Sequence, residues 1–179
     1  MAEYVLNTWY VAAWSHEVST APIRRVICEL PVVLYRTHGG QAVALADRCA
    51  HRAYPLSAGV VLGDAIQCGY HGFEFGPDGY CTRIPAQDII PPRTRVLSYA
   101  VAEKDGWIWV WLGDQSAVDH ARLPDTHYMN SPDWIAVTHS FHFDCRAELV
   151  NDNLLDLTHE SFIHLSTVGD DYIYKHPLT

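Results

Sequence analysis

Two short segments constrain this chain more than anything else in it: Cys49-Ala50-His51 and Cys68-Gly69-Tyr70-His71. Each supplies one thiol and one imidazole, and sixteen residues separate His51 from Cys68. Such a donor set suits a metal that accepts both thiolate and imidazole. A zinc ion closes a tetrahedron with two Cys and two His. Zinc chains, however, usually write the cysteines as one pair and the histidines as another. Here each segment is mixed, so structural zinc is the weaker reading. Gly69 and Gly72 bracket the second pair, where tight turns can aim amide N–H groups inward.

The residues around the donors, His51-Arg52-Ala53-Tyr54-Pro55-Leu56 and Cys68-Gly69-Tyr70-His71-Gly72-Phe73-Glu74-Phe75, resemble the Rieske iron–sulfur domain. The resemblance implies a [2Fe–2S] cluster with Cys49 and Cys68 on one iron and His51 and His71 on the other. Neutral imidazoles in place of two thiolates raise the reduction potential above that of an all-cysteine cluster. It also implies that Arg83-Ile84-Pro85-Ala86 is a third loop covering the cluster. Ala50 stands where many members carry Pro, a difference that touches no donor.

Composition sets the limits. With 179 residues and 49% hydrophobic side chains the chain can build a substantial core. A net charge of −9 with no basic run excludes nucleic-acid binding as the expected role. No apolar stretch is long enough to span a membrane, and Met1–Tyr10 lacks the form of a signal peptide, so the expected location is cytoplasmic. The five cysteines are an odd number, which argues against a disulfide framework. Cys28, Cys81 and Cys145 read as packed apolar thiols.

The first 115 residues read as a β domain. Arg25–Leu30, Val32–Arg36, Ala42–Ala46, Ala65–Gln67, Val96–Val101 and Trp107–Trp111 are short apolar runs. Gly76-Pro77-Asp78-Gly79 and Asp105-Gly106 signal hairpins. Alternation places Trp107, Trp109 and Trp111 on one face, a packing stripe. Residues 116–134 read as a linker or irregular crossover. Trp134–Asp144 reads as a strand entering a second domain, and Arg146 to about Ile163 as a helix.

That helix carries the second constellation, Asn153, Asp156, His159 and His164, in the pattern N-x-x-D-x-x-H-x-x-x-x-H. A zinc peptidase needs its histidines at i and i+4. Here the spacing is i+5, about 140° round an ideal helix. Both rings meet one metal only if the helix bulges or ends between them. The pattern resembles the mononuclear iron motif of Rieske non-heme iron oxygenases. That resemblance implies His159 and His164 as ligands to Fe(II) and Asp156 as the carboxylate bridging from a neighbouring subunit's cluster histidine. Three residues apart, Asp156 and His159 also share a helix side, where Asp156 can hydrogen-bond the imidazole. His16, His38, His120, His127, His139, His142 and His176 have no such context and read as surface or hydrogen-bonded residues.

The order of the two motifs, with Asn7–Ala12, resembles the oxygenase (alpha) component of the vanillate O-demethylase and dicamba demethylase branch. The implied architecture is α+β: an all-β Rieske domain over 1–115, a linker over 116–134, and over 135–179 the start of a helix-grip catalytic domain. The implied function is an aromatic monooxygenase or O-demethylase. A ferredoxin-type reductase supplies electrons, O₂ is activated at the second iron, and a methyl group is hydroxylated and lost as formaldehyde. Homotrimers are typical of the family. In the family the carboxylate completing the iron site lies far downstream; Asp170 and Asp171 do not match it. The chain is therefore expected to be the N-terminal half of an oxygenase, able to hold the cluster but not to turn over substrate. The competing readings are a stand-alone Rieske electron carrier and an interaction remnant that binds no iron.

Overall fold

The computed structural model describes residues 4–164, 166–167, 169 and 172–176. The chain divides into two compact units, residues 1–136 and 137–179.

Among its described residues the first unit holds eleven strands in three antiparallel sheets. β1 (Thr8–Trp14), β11 (Trp107–Leu112) and β10 (Val101–Lys104) form one, in that order. β2 (Ile23–Ile27), β3 (Leu30–Arg36), β4 (Ala42–Ala46) and β9 (Ser98–Tyr99) form the second. β5 (Val60–Leu62), β6 (Ala65–Gln67), β7 (Glu74–Phe75) and β8 (Cys81–Arg83) form the third.

Val32–Tyr35 of β3 and Val43–Leu45 of β4 are continuously apolar because both of their faces are covered. Val33, Tyr35, Val43 and Leu45 pack with Leu56, Ile66 and Phe75 of the third sheet and its loops. Val32, Leu34 and Ala44 point the other way, onto Ile108, Val110 and Leu112. The third sheet is thus backed by a dry core that includes Cys49, Cys68 and Cys81.

The tryptophan stripe is packing. Trp9, Trp109 and Trp111 form a buried cluster, with Trp107 packed against it. Trp9 and Trp111 meet edge to face at 5.5 Å. Residues 116–134, expected as a linker, hold only short 3₁₀ turns, and their first part, around Val118, Asp119 and Leu123, lies against this cluster. The Trp9 indole donates to the Asp119 carbonyl, and Val118 and Leu123 cover the rings.

Four expectations for the local structure need correction. Arg25–Leu30 is not one strand, because Cys28 and Glu29 make the β2–β3 turn with φ of 50° and 63°. Val96–Val101 divides at Ala100, whose N–H bonds Gln115 Oε1 instead of a strand, so the chain passes from the second sheet to the first. No strand forms over Trp134–Asp144, where Ile135, Val137 and Phe141 are exposed. Alternation gives that segment an apolar face, but among the described residues no neighbouring strand takes its backbone groups. The long helix is also interrupted. α1 covers Ala147–Leu155, a 3₁₀ turn follows at Leu157–His159, and α2 covers Glu160–Ile163. Asp156 leaves helical geometry, with ψ of 82°. Farther on, α3 spans Tyr172–Lys175. β1 had no counterpart among the expected strands.

Candidate metal centre

The loop from β4 to β5 carries Cys49 and His51, and the loop from β6 to β7 carries Cys68 and His71. The two loops share one hydrogen-bond plan. Cys49 N–H donates to the Tyr54 carbonyl and Ala53 N–H returns to the Cys49 carbonyl. Cys68 N–H donates to the Phe73 carbonyl and Gly72 N–H returns to the Cys68 carbonyl. In each the fifth residue lies in the left-handed region, Ala53 at 55° and Gly72 at 71°. The histidine therefore occupies the tip of one loop at the third position and of the other at the fourth.

Side chains buckle each loop at its base. The buried Asp47 carboxylate accepts Ser57 N–H at 2.7 Å, Ser57 Oγ at 2.7 Å and Arg24 Nη1 at 3.0 Å. This closes residues 48–56 into a ring. In the second loop Gln67 Nε2 donates to Glu74 Oε1 at 2.9 Å, and Arg83 donates to the same oxygen at 2.8 Å. Sequence reasoning missed both buckles.

The donors divide by depth. Cys49 and Cys68 are buried, with 3% and 2% of their surface exposed, in the same core cluster. Burial and, to a lesser degree, Cys68 push the Cys49 thiol up to about 11 against the opposing N–H groups of His51 and Arg52. A metal bound here must displace that proton. All five cysteines are free thiols. Cys81 points elsewhere, toward the Arg83 carbonyl.

His51 and His71 are exposed, with ring centroids 4.6 Å apart. Phe73 stacks on His51 at 4.8 Å and 10°, and Tyr70 lies on His71 at 3.8 Å. Among the described residues no three His, Cys, Asp or Glu side chains converge as a single-metal site. Donation two by two is what a [2Fe–2S] cluster with mixed ligands requires. Two buried thiols of one core cluster and two adjacent exposed imidazoles on the same pair of loops fit that cluster.

The third loop comes close to the second. A Cβ added to Gly72 would stand 2.9 Å from Pro85 Cγ. Gly72→Ala therefore pays twice, through its φ and through this contact, and is expected to destabilise the first unit by about 2 kcal/mol. Ala53→Gly at the matching position relieves a positive φ and is expected to change stability by less than about 1 kcal/mol. Thermal unfolding of the two variants checks the contrast.

In the second unit His159 and His164 are half-buried, with ring centroids 5.2 Å apart. The i+5 spacing works because the helix breaks at Asp156 and ends at Ile163, leaving His164 as the cap. The Asp156 backbone carbonyl, not its carboxylate, contacts His159 Nδ1. Such a contact fixes the tautomer and leaves Nε2 available for a metal. The Asp156 carboxylate is exposed and accepts Thr158 Oγ1 at 2.6 Å, which holds its carboxyl below the usual range. Asp170 and Asp171 lie outside the described residues.

Twin ligand loops on a three-sheet β unit define a class, the Rieske-type iron–sulfur proteins. The chain belongs to the Rieske [2Fe–2S] domain family, whose profile matches residues 8–97. Residues 143–179 match the vanillate O-demethylase oxygenase C-terminal domain. The chain is 40% identical over 169 residues to the toluene-4-sulfonate monooxygenase system iron–sulfur subunit TsaM1 of Comamonas testosteroni, covering 94% of this chain and 49% of that protein. It is 38% identical over 173 residues to a vanillate O-demethylase oxygenase subunit of a Pseudomonas species, covering 97% and 49%. A crystal structure of dicamba monooxygenase with non-heme iron and dicamba superimposes with a TM-score of 0.83 at 40% identity, covering 88% of this chain and 49% of that one. The chain spans about half the length of the curated relatives it matches. The mostly β Rieske-type fold is the one expected from the sequence. Among the described residues no helix is long and apolar enough to cross a membrane.

Proposed function

We propose that this chain forms part of the oxygenase component of a Rieske-type aromatic monooxygenase or O-demethylase. In this reading Cys49 and Cys68 hold the inner iron of the cluster and His51 and His71 the outer one. His159 and His164 hold a separate Fe(II). When bound, these groups supply one-electron transfer and O₂ activation. The protein's own part is to keep the thiols dry and to fix the imidazole rings at the surface, by Phe73 on His51 and Tyr70 on His71. The Asp156 carbonyl sets the His159 ring. The free face of the Asp156 carboxylate is available to a cluster histidine of a second copy, as a trimer requires.

One observation carries the reading: the same chain holds a buried Cys pair and an exposed His pair on the same two loops, and separately a His pair converging at 5.2 Å. A stand-alone electron carrier has no use for the second pair. The named relatives, subunits of multi-component monooxygenase and O-demethylase systems, support a separate electron-supplying component and a small aromatic substrate; a ferredoxin-type reductase and a cytoplasmic location belong to the proposal. The test is iron and acid-labile sulfide per chain after anaerobic purification. About three irons with two sulfides supports both sites. About two irons with two sulfides reduces the reading to an electron-transfer module, and zinc without sulfide overturns it.

A further inference from the structure

The chain is acidic overall, and six of its twelve Lys and Arg side chains have a carboxylate partner. Arg24, Arg25, Arg36, Arg83, Lys104 and Arg146 each pair with an Asp or Glu. Arg48, Arg52 and Arg95 have no such partner among the described residues. These three are exposed and line one concavity of about 460 Å³ together with Cys49 and His51. The lining contains no carboxylate. Arg95 is held by the Tyr80 hydroxyl at 3.2 Å and lies over the Tyr80 ring. Asp78, which lines a neighbouring cavity with Arg95, accepts the Tyr80 N–H instead.

Three positive charges without counter-ions, gathered against the first ligand loop of a −9 chain, form a local field opposite in sign to the rest of the molecule. We propose that Arg48, Arg52 and Arg95 form the docking face for an acidic electron-donor protein, a ferredoxin or ferredoxin domain, beside the cluster it reduces. The inference rests on the reading of Cys49, His51, Cys68 and His71 as cluster ligands.

Charge complementarity selects the occupant. Electron-transfer encounters are small, wet and steered by charge, unlike permanent interfaces, whose centres are apolar. A rim of three arginines, with Leu97 as the one large exposed apolar side chain in the lining, suits the first kind. The electron balance is simple. A plant-type ferredoxin has a potential below the range of Rieske centres, so one electron passes downhill, oxidising the ferredoxin and reducing the cluster.

The test uses the full chain, purified anaerobically, and plant-type [2Fe–2S] ferredoxin as the acidic probe. Cluster content and midpoint potential are recorded first for wild type and for the Arg48→Gln/Arg52→Gln/Arg95→Gln variant. Stopped-flow then gives the second-order rate of cluster reduction at low and high ionic strength. Titration with redox-silent gallium-substituted ferredoxin gives the affinity. The expected result is a rate and an affinity both lowered about tenfold at low salt. Cluster content and potential stay unchanged, and the gap between the two proteins closes at about 0.5 M salt, where screening is short-ranged. Equal rates and affinities at low salt, with the cluster intact in both, would overturn the inference alone. So would a variant that loses only self-association, which would assign the face to a second acidic copy. If the triple variant loses its cluster, the affinity titration and the three single variants decide by the same criteria. A wild-type chain without [2Fe–2S] overturns the underlying reading and this inference with it.

Discussion

Cys49→Ser is expected to abolish the cluster: iron and acid-labile sulfide of the first unit fall from about two of each to background. The cause is local. Cys49 is one of two thiols in a dry pocket, 3% exposed, and no third thiol faces it, since Cys81 is turned to the Arg83 carbonyl. A serine hydroxyl stays protonated and offers hard oxygen where the iron takes soft thiolate. The β unit keeps its two apolar layers, so far-ultraviolet circular dichroism changes little while the visible spectrum is lost. Cys81→Ala, a substitution in the same core, is expected to retain the cluster. A Cys49→Ser protein with full sulfide content, or a Cys81→Ala protein with none, contradicts the ligand assignment.

Asp47→Ala is expected to be the most damaging change outside the ligands. The carboxylate is fully buried and accepts three hydrogen bonds, two from Ser57 and one from Arg24. Removing it leaves the Ser57 N–H and Oγ without their acceptor and opens the base of the first ligand loop. Losses of this kind cost about 3 kcal/mol. In a unit of this size that lowers Tm by about 10 °C. Ser57→Ala, which keeps the backbone bond, is expected to cost about 1 kcal/mol. A Tm for Asp47→Ala within 2 °C of wild type shows that the buckle is dispensable.

These two residues illustrate what the sequence reveals and what it does not. Cys49, His51, Cys68 and His71 stand out because metals accept few residue types and the spacing is unusual. Asp47, Ser57, Gln67 and Glu74 do not, because common polar residues ten or seven positions apart carry no signature until the loop has closed. Turns follow the same logic. Asp105-Gly106 announces its hairpin, with φ of 54° and 83°, whereas Cys28-Glu29 adopts the same geometry without a residue that advertises it. The twin plan of the ligand loops was half visible, in Gly72 but not in Ala53.

Context decides the second unit as well. The i+5 spacing of His159 and His164 required a break, and the break occurs at Asp156, where no proline or glycine marks it. Asp156 was expected to act on His159 through its carboxylate; its carbonyl does so. Trp134–Asp144 has the alternation of a strand, but alternation specifies a face and cannot supply the neighbour that completes the ladder.

The most direct test of the account is pulsed electron paramagnetic resonance of the anaerobically purified, one-electron-reduced protein. The account predicts a [2Fe–2S] signal coupled to two imidazole nitrogens, one lost in His51→Cys and the other in His71→Cys. A reduced cluster without nitrogen coupling, or coupling unchanged in both variants, contradicts it.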